Sequence, residues 1–198
     1  MRRLMYRSAA VLPRSLAGNY RYSEGWFRGF IERIFVEELE LDPRELPAVQ
    51  AELLGWFADP AHFRTFPGAA RLLERLRGAG LVVGVVSNWS ERLPGILDGL
   101  GLGARLDFVL TSALEGLEKP NPELFRRALR RAGDLAPHQA VHAGNDLQLD
   151  VQGARDAGIL PVLVEHADHA GRAADVPADV ARVGDLEELG DWILERAG

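Results

Sequence analysis

Six polar residues in three separate stretches of this chain have the side chains needed to handle a phosphoryl group. A phosphoryl group in transfer carries negative charge on its oxygens, so it needs hydrogen-bond donors, a cation and usually a metal ion. Hydroxyl and amide groups supply donors, a lysine supplies a cation, and carboxylate oxygens are ligands for Mg²⁺. The six residues are Ser87, Asn88, Lys119, Asn145, Asp146 and Asp150.

Ser87 and Asn88 follow the apolar run LVVGVV at 81–86. Such a run with a polar end is typical of a buried parallel strand that ends at the edge of a sheet where ligands bind. A helical sequence begins soon after, so the two residues lie in a strand-to-helix turn whose backbone N–H groups suit an anion. The same two residues are equally well explained as caps of that helix, and both interpretations stay open.

Asp146 and Asp150 follow the apolar stretch 140–143 and are spaced four residues apart. This spacing places both carboxylates on one face of a helical turn. Carboxylates crowded in this way indicate a bound cation, and Mg²⁺ fits because it takes few protein carboxylates and keeps several waters. The alternative is that Asp146 caps its helix while Asp150 faces water.

Lys119 is the only lysine, so the other 22 of the 23 basic residues are arginines. A chain that uses arginine almost everywhere needs a reason to keep one lysine. An ammonium group is a compact point charge with three donors, and a tight site that needs this cannot accept the wide planar guanidinium. We therefore predict that Lys119 neutralises charge in the site, with a solvated loop residue as the alternative.

Charge and composition restrict the classes of partner. The 198 residues carry a net charge of −6, which argues against nucleic acid or an anionic membrane as the main partner. The absence of cysteine excludes disulfides and thiol chemistry and permits a reducing cytoplasm, and no apolar run approaches the roughly 20 residues of a membrane helix. We expect a cytoplasmic protein with a small phosphorylated substrate, and the oligomeric state stays open.

Two regions of different character must position these residues. Residues 1–63 contain helical patterns only, at 24–41 and 43–56, and predict a small all-helical subdomain. Residues 64–198 alternate apolar strands with helices, which predicts an α/β fold with a Rossmann-like, mainly parallel sheet. The predicted strands of this region are 81–86, 108–111, 140–143 and 161–164, and its predicted helices are 69–77, 91–100, 123–132, 147–157 and 186–197.

Three motifs of the chain resemble those of the haloacid dehalogenase (HAD) superfamily of hydrolases. VVSNWS is similar to the family's second motif, and EGLEKPNP is similar to its third. HAGNDLQLDVQGARDAG, at 142–158, is similar to the acidic fourth motif. The resemblance covers residues from about 66 to 165. It implies a Rossmann-like sheet with a helical cap at 1–63, Mg²⁺, and hydrolysis of a phosphoester through an aspartyl-phosphate, with Ser87 and Asn88 binding phosphate and Lys119 neutralising charge.

The resemblance also assigns the metal ligands, with one departure. Asp150 matches the second acid of the fourth motif. Asn145 occupies the position of the first acid of that motif, and Asp146 is the next residue. Either Asp146 takes over as the metal ligand, or Asn145 contributes a neutral amide oxygen and the site holds metal more weakly.

The family's first motif has no counterpart in these 198 residues. It is a strand ending in DxD, whose first Asp is the nucleophile, whereas this chain has no Asp before Asp42, which lies between helices. The corresponding strand would lie in the middle of the sheet, between the strands ending at Ser87 and Ala143, and its loss would leave unsatisfied backbone groups there. We therefore predict a core without its first strand, and a chain that is inactive as it stands.

Two explanations of this gap compete. One is a true start upstream of residue 1, and the other is a degenerate site that binds phosphate or a partner without turnover. The first is favoured because the other three motifs are nearly intact. A third hypothesis, dehalogenation of a haloacid, fits the SN pair but not the acid-rich turn, because dehalogenases of this superfamily need no metal.

Three further features have weaker signals. Trp89 is expected to line the substrate entrance, where it would favour a substrate with a flat or apolar portion. His142 is interpreted as a packing residue in a buried strand, with one of its ring nitrogens hydrogen-bonded. The stretch EHADH at 165–169 has the composition of a metal site but is interpreted as a solvated loop.

Overall fold

The structure is a computed structural model that describes residues 15–16, 19–165 and 176–197. Parallel strands alternate with helices in its larger part, which is the α/β architecture that the sequence predicts. The elements are β1 (Ser15–Leu16), β2 (Asn19–Tyr20), α1 (Glu24–Glu32), α2 (Leu46–Ala58), α3 (Ala69–Gly78), β3 (Gly84–Ser87), α4 (Leu93–Gly99), β4 (Phe108–Thr111), α5 (Ser112–Glu115), α6 (Pro122–Arg131), β5 (Val141–Gly144), α7 (Gly153–Asp156), β6 (Leu160–Val164), β7 (Ala181–Val183) and α8 (Leu186–Ala197).

The parallel strands form two separate hydrogen-bonded groups. β3 pairs with β4, so that Ser87 lies opposite Thr111, while β6 pairs with β5 on one side and β7 on the other. Among the described residues no ladder joins β3 to β5. Val83, just before β3, and Ala143, in β5, nevertheless pack in one apolar cluster. The two strands thus border the same apolar cluster, and we call the unpaired interval between them the lane.

One apolar cluster holds the two strand groups together. Leu72 and Leu76 of α3 pack with Val162 and Val164 of β6 and with Leu189 of α8. Burial of one such side chain gives about 1.5–3 kcal/mol, so this packing stabilises the association of the two strand groups. The buried members of the cluster are Leu72, Leu76, Val83, Val162, Val164, Val183 and Leu189.

A second apolar cluster positions the segment before α6. Phe125 and Leu129 of α6 pack with Ala154 of α7 and with Ile159. α6 begins after Asn121, whose side chain accepts a hydrogen bond from the backbone N–H of Glu123 (3.0 Å). Since the cap and the buried face fix the start of α6, they also fix the loop that precedes it.

The helical region packs around a buried tryptophan. Trp26 is 1% exposed, stacks on Phe30 with ring centroids 5.3 Å apart and meets Phe27 edge-on at 5.2 Å. α1 begins after Ser23, whose hydroxyl accepts a hydrogen bond from the backbone N–H of Trp26 (3.2 Å). Aromatic packing and a polar cap thus fix this helix.

The first turn of α1 is bound to the loop after β3. The backbone N–H of Glu24 donates to the Glu91 carboxylate (3.0 Å), and Arg92 donates to the Glu24 carboxylate. The helical region is therefore held beside the loop that contains Asn88.

The structure differs from the sequence predictions in local geometry. Residues up to 63 are not helical throughout, because β1 and β2 form an antiparallel pair. The helix predicted over 24–41 continues from α1 as the π-helix Arg33–Glu38, and the helix predicted over 147–157 starts as the π-helix Leu147–Gln152. Hydrophobic spacing does not separate a π-helix from an α-helix over six residues. The sequence does not predict β7, because three residues carry too short a pattern.

No helix in the described residues is long and apolar enough to cross a membrane. Residues 166–169 of the EHADH stretch lie outside the described residues, as do residues 1–14.

Candidate active site

The loop after β3 is fixed to the loop that carries Lys119. The side-chain oxygen of Asn88 accepts a hydrogen bond from the backbone N–H of Lys119 (2.7 Å), and its amide nitrogen donates to the Lys119 carbonyl (3.1 Å). Both polar atoms of the Asn88 side chain are thus engaged by protein. The Ser87 hydroxyl makes no hydrogen bond within the described part of the chain, so it is available to an anion.

Three ionisable side chains meet next to this loop. Lys119 Nζ lies 2.5 Å from Asp150 Oδ1, and His142 Nε2 lies 3.1 Å from the same oxygen. The side chains of Lys119 and Asp150 are 13% and 5% exposed, and the His142 ring lies edge-on to Phe125 (centroids 4.9 Å apart). Lys119 therefore neutralises a buried carboxylate, and its interpretation as a solvated loop residue is wrong.

The Asp150 carboxyl is held in its ionised form. Burial by itself would raise its pKa, because it removes the charged form from water. The hydrogen bond from His142 and the charge of Lys119 act in the opposite direction and prevail, so the pKa of Asp150 lies well below its usual range. Asp150 thus carries its negative charge throughout the neutral pH range.

Asp146 caps the helical turn that leads to Asp150. Its Oδ1 accepts hydrogen bonds from the backbone N–H groups of Gln148 and Leu149, both 2.9 Å long. Its own backbone N–H donates to Asp150 Oδ2 (3.1 Å). The cap interpretation of Asp146 is confirmed, and the expectation that Asp150 could simply face water is wrong because Asp150 is buried.

Gly144 allows the Asp150 carboxylate to approach the end of β5. A Cβ atom at position 144 would lie 2.2 Å from Cγ of Asp150, which is far inside van der Waals contact. Any larger residue would displace the carboxylate that Lys119 and His142 contact. The last residue of β5 is therefore a glycine for reasons of space.

Few oxygens in the cluster are free to bind a metal ion. Within the described ranges, no group of three or more His, Cys, Asp or Glu residues could hold one. Both Asp150 oxygens already accept hydrogen bonds. Asp146 Oδ2 and the exposed amide of Asn145 make none among the described residues. Two such oxygens fit Mg²⁺ when water and substrate oxygens complete its shell, which is how this ion is often held.

The structure brings the predicted residues together at the carboxyl ends of β3 and β5. Hydrogen bonds link Asn88 to Lys119, and further bonds continue through Asp150 to Asp146. Ser87 and Asn145 adjoin this network in the chain. His142 packs against Phe125 and has one nitrogen paired, as the sequence interpretation expects. That interpretation does not include Asp150 as the partner of His142, nor Gly144 as part of the site. The pairing of His142 with Asp150 depends on how a strand and the following turn fold back on each other, which no residue spacing reveals.

Comparison with known proteins identifies the family. A sequence profile described as haloacid dehalogenase-like hydrolase matches residues 12–158, more than half of the chain. The chain belongs to the haloacid dehalogenase-like hydrolases. This HAD-like hydrolase is 36% identical over 151 residues to the human haloacid dehalogenase-like hydrolase domain-containing protein 3, covering 74% of this chain and 60% of that protein. It is 36% identical over 167 residues to a phosphoserine phosphatase of Thermus thermophilus, covering 83% and 65%.

The HAD-like hydrolase spans less than two thirds of the first relatives' length, namely 56% of the bovine and 60% of the human protein. Solved structures show the same fold. A haloacid dehalogenase-like family hydrolase from Xanthomonas campestris has a TM-score of 0.71 at 18% identity, covering 98% of this chain and 78% of that one. A HAD phosphatase from Thermococcus onnurineus has a TM-score of 0.66 at 23% identity, covering 97% and 79%. The predicted family and fold class are therefore confirmed.

Proposed function

We propose that this protein hydrolyses small phosphomonoesters with the help of Mg²⁺. The observation that carries the proposal is the convergence of Asn88, Lys119 and Asp150 at the carboxyl ends of β3 and β5. Relatives named as phosphatases, for phosphoserine and for glyceraldehyde 3-phosphate, support a phosphate ester as the substrate. We also propose a cytoplasmic location, which the cysteine-free composition suits.

In this proposal the phosphate binds beyond the end of β3. The Ser87 hydroxyl and the backbone N–H groups of the following turn donate to its oxygens. An ammonium group has three N–H donors, so Lys119 retains donors for the phosphate while it pairs with Asp150. The side chain of Asn88 positions Lys119, and its backbone N–H remains for the phosphate.

Asp146 and Asn145 are the residues that would hold Mg²⁺. Asp150 Oδ2 accepts one hydrogen bond, from the backbone N–H of Asp146, and keeps a second acceptor position through which it would join them as a ligand. A bound Mg²⁺ would supply positive charge against the phosphate oxygens. The acidic turn and Lys119 thus act from one side of the phosphate, and the β3 turn acts from the other.

The attacking carboxylate is assigned to a strand that lies in the lane. We call the side chains at the carboxyl ends of β3 and β5 the polar cluster, and its members are Ser87, Asn88, Lys119, Asn145, Asp146 and Asp150. The break in the sheet supports this assignment, because β3 and β5 both lead to the polar cluster and neither has a strand partner on the lane side among the described residues. Residues 1–41 contain no aspartate, and we propose that polypeptide other than these 198 residues supplies the strand. Its carboxylate would form a bond to phosphorus as the ester oxygen leaves, and water would then hydrolyse the aspartyl-phosphate.

Release of p-nitrophenol from p-nitrophenyl phosphate tests the proposal. The 198-residue chain is expected to be inactive, and a version extended upstream in frame by an apolar strand ending in DxD is expected to be active. In the extended version, Lys119→Met should lower kcat by about a hundredfold or more. Arg44→Met, which removes an exposed cation, is the control and should leave kcat unchanged. Turnover by the 198-residue chain would contradict the assigned nucleophile, and an inactive extended version would contradict the activity.

A second candidate is metal-free hydrolysis of a haloacid. The observation that favours it is the engagement of both Asp150 oxygens by protein groups, which leaves the acidic turn with few metal ligands. Chloride release from chloroacetate by the extended protein, measured with EDTA present, distinguishes the candidates. Chloride release without metal, together with no phosphatase activity in Mg²⁺, would reverse the ranking.

A further inference from the structure

The segment between the helical region and α3 carries aromatic residues to both sides of the polar cluster. Phe63 meets Trp89, the residue after Asn88, with ring centroids 6.2 Å apart at an angle of 75°. Phe66 lines a cavity at the carboxyl end of β5. The segment 63–66, which we call the aromatic connector, therefore reaches the polar edge of both strand groups.

The cavity beside Phe66 has a volume of about 340 Å³ and a mainly apolar lining. Ala143 and Val164 belong to the apolar cluster that α8 covers, so the cavity lies on the face of β5 and β6 that this helix covers. An apolar cavity of about 150 Å³ is already large enough to hold benzene. The lining residues are Phe66, Ala143, Gly144, Asn145, Val164, Leu186 and Leu189.

We infer that the aromatic connector and this cavity bind the non-reacting part of the substrate, which is a phosphomonoester with an aromatic or extended apolar leaving group. The inference rests on the proposed function, because the polar cluster must hold the phosphate for the cavity to receive the rest. Phe66 is 50% exposed, and an apolar group placed against it removes apolar surface of both partners from water. A small polar leaving group gains nothing from the same contact.

The position of the cavity supports the inferred substrate class as much as its apolar lining does. Gly144 and Asn145 form the polar border of the cavity, and Asn145 adjoins Asp146 in the acidic turn. In the proposed function the phosphate lies against that turn, so its ester group would lie beside the cavity. On the other side, Trp89 and Phe63 adjoin the β3 turn that donates to the phosphate.

Titration calorimetry of the 198-residue chain in Mg²⁺ tests the inference with three probes: inorganic phosphate, phenyl phosphate and glycerol phosphate. Phenyl phosphate is expected to bind about tenfold more tightly than glycerol phosphate, since its ring is buried. Phe66→Ala should remove most of this preference and leave the affinity for inorganic phosphate unchanged, whereas Phe66→Leu should keep part of it. Leu39→Ala, at an apolar residue that is 64% exposed in the helical region, is the matched control and should keep the full preference.

The outcomes test the inferred substrate class and the proposed activity separately. Equal affinities for phenyl and glycerol phosphate would overturn the inferred substrate class and leave the phosphate site standing. A preference for phenyl phosphate that survives Phe66→Ala would overturn the role of the cavity. If none of the probes binds, inorganic phosphate included, the proposed function fails and the inference fails with it.

Discussion

Asn88 binds the backbone of Lys119 through both polar atoms of its side chain, accepting from the N–H and donating to the carbonyl. Because Lys119 in turn pairs with Asp150, the end of β3 determines where the cation lies against the acidic turn after β5. The two strand groups, which no ladder joins in the described residues, are thus coupled at their carboxyl ends by side chains. The following experiments test this coupling.

Asn88→Ala should lower the free energy of unfolding by about 1–3 kcal/mol, because it leaves two partly buried backbone groups of Lys119 unpaired. Urea denaturation measures the change. Asn145→Ala is the matched control, since Asn145 is exposed, and it should have almost no effect. Equal stabilities of the two variants would show that the hydrogen bonds to Lys119 contribute nothing.

Lys119→Met should destabilise the protein by about 3–5 kcal/mol, because it leaves the buried Asp150 carboxylate without its cation. Adding Asp150→Asn to Lys119→Met should recover part of this loss, since the double variant buries no uncompensated charge. Thermal unfolding of the single and double variants measures the coupling. Strictly additive changes would contradict a direct ion pair.

The pH dependence of stability should report the lowered pKa of Asp150. The unfolded carboxyl has a pKa of about 3.9, and the pKa of the folded state lies lower, so folding favours the ionised form. This contribution is fully present above the unfolded pKa and is lost as the pH falls below about 4. The stability difference between the wild-type protein and Asp150→Asn should therefore shrink on acidification. Denaturation curves with a pH-independent difference would rule out the contribution.

Gly144→Ala should destabilise the protein by about 1–3 kcal/mol, as overpacking of a filled site does. The added methyl group would meet the Asp150 carboxylate and push it from its partners. Gly55→Ala, in the middle of α2 where a Cβ meets nothing within 4 Å, should instead raise stability slightly, because alanine favours helices. Similar effects of the two substitutions would argue against a close approach at Gly144.

Hydrogen exchange should distinguish strands that border the lane from the strand paired on both sides. Backbone amides of β6 have partners in β5 and β7 and should be the slowest to exchange in the sheet. Lane-facing amides of β3 and β5 should exchange faster, and they should become protected in the version extended upstream. Uniform protection of all three strands in the 198-residue chain would contradict an open lane.

Much of the site could be predicted because strand ends have a clear signature. An apolar run that stops at Ser87, and another that stops before Asn145, place polar residues at one edge of any parallel sheet. The absence of a strand between β3 and β5 stays a prediction, although no ladder joins these two strands among the described residues. Contacts between distant loops were not predictable: Asn88 as the partner of Lys119, and His142 as the partner of Asp150, both depend on tertiary geometry.

The single lysine gives this protein an unusual chemical handle. Apart from the α-amino group of the chain, Lys119 carries the only primary amine of the 198 residues, and that amine is paired with the buried Asp150 carboxylate. Acylating reagents attack free amines, so the extent of labelling, followed by mass spectrometry, reports directly on whether the cluster is assembled. Most proteins require an engineered probe for such a measurement.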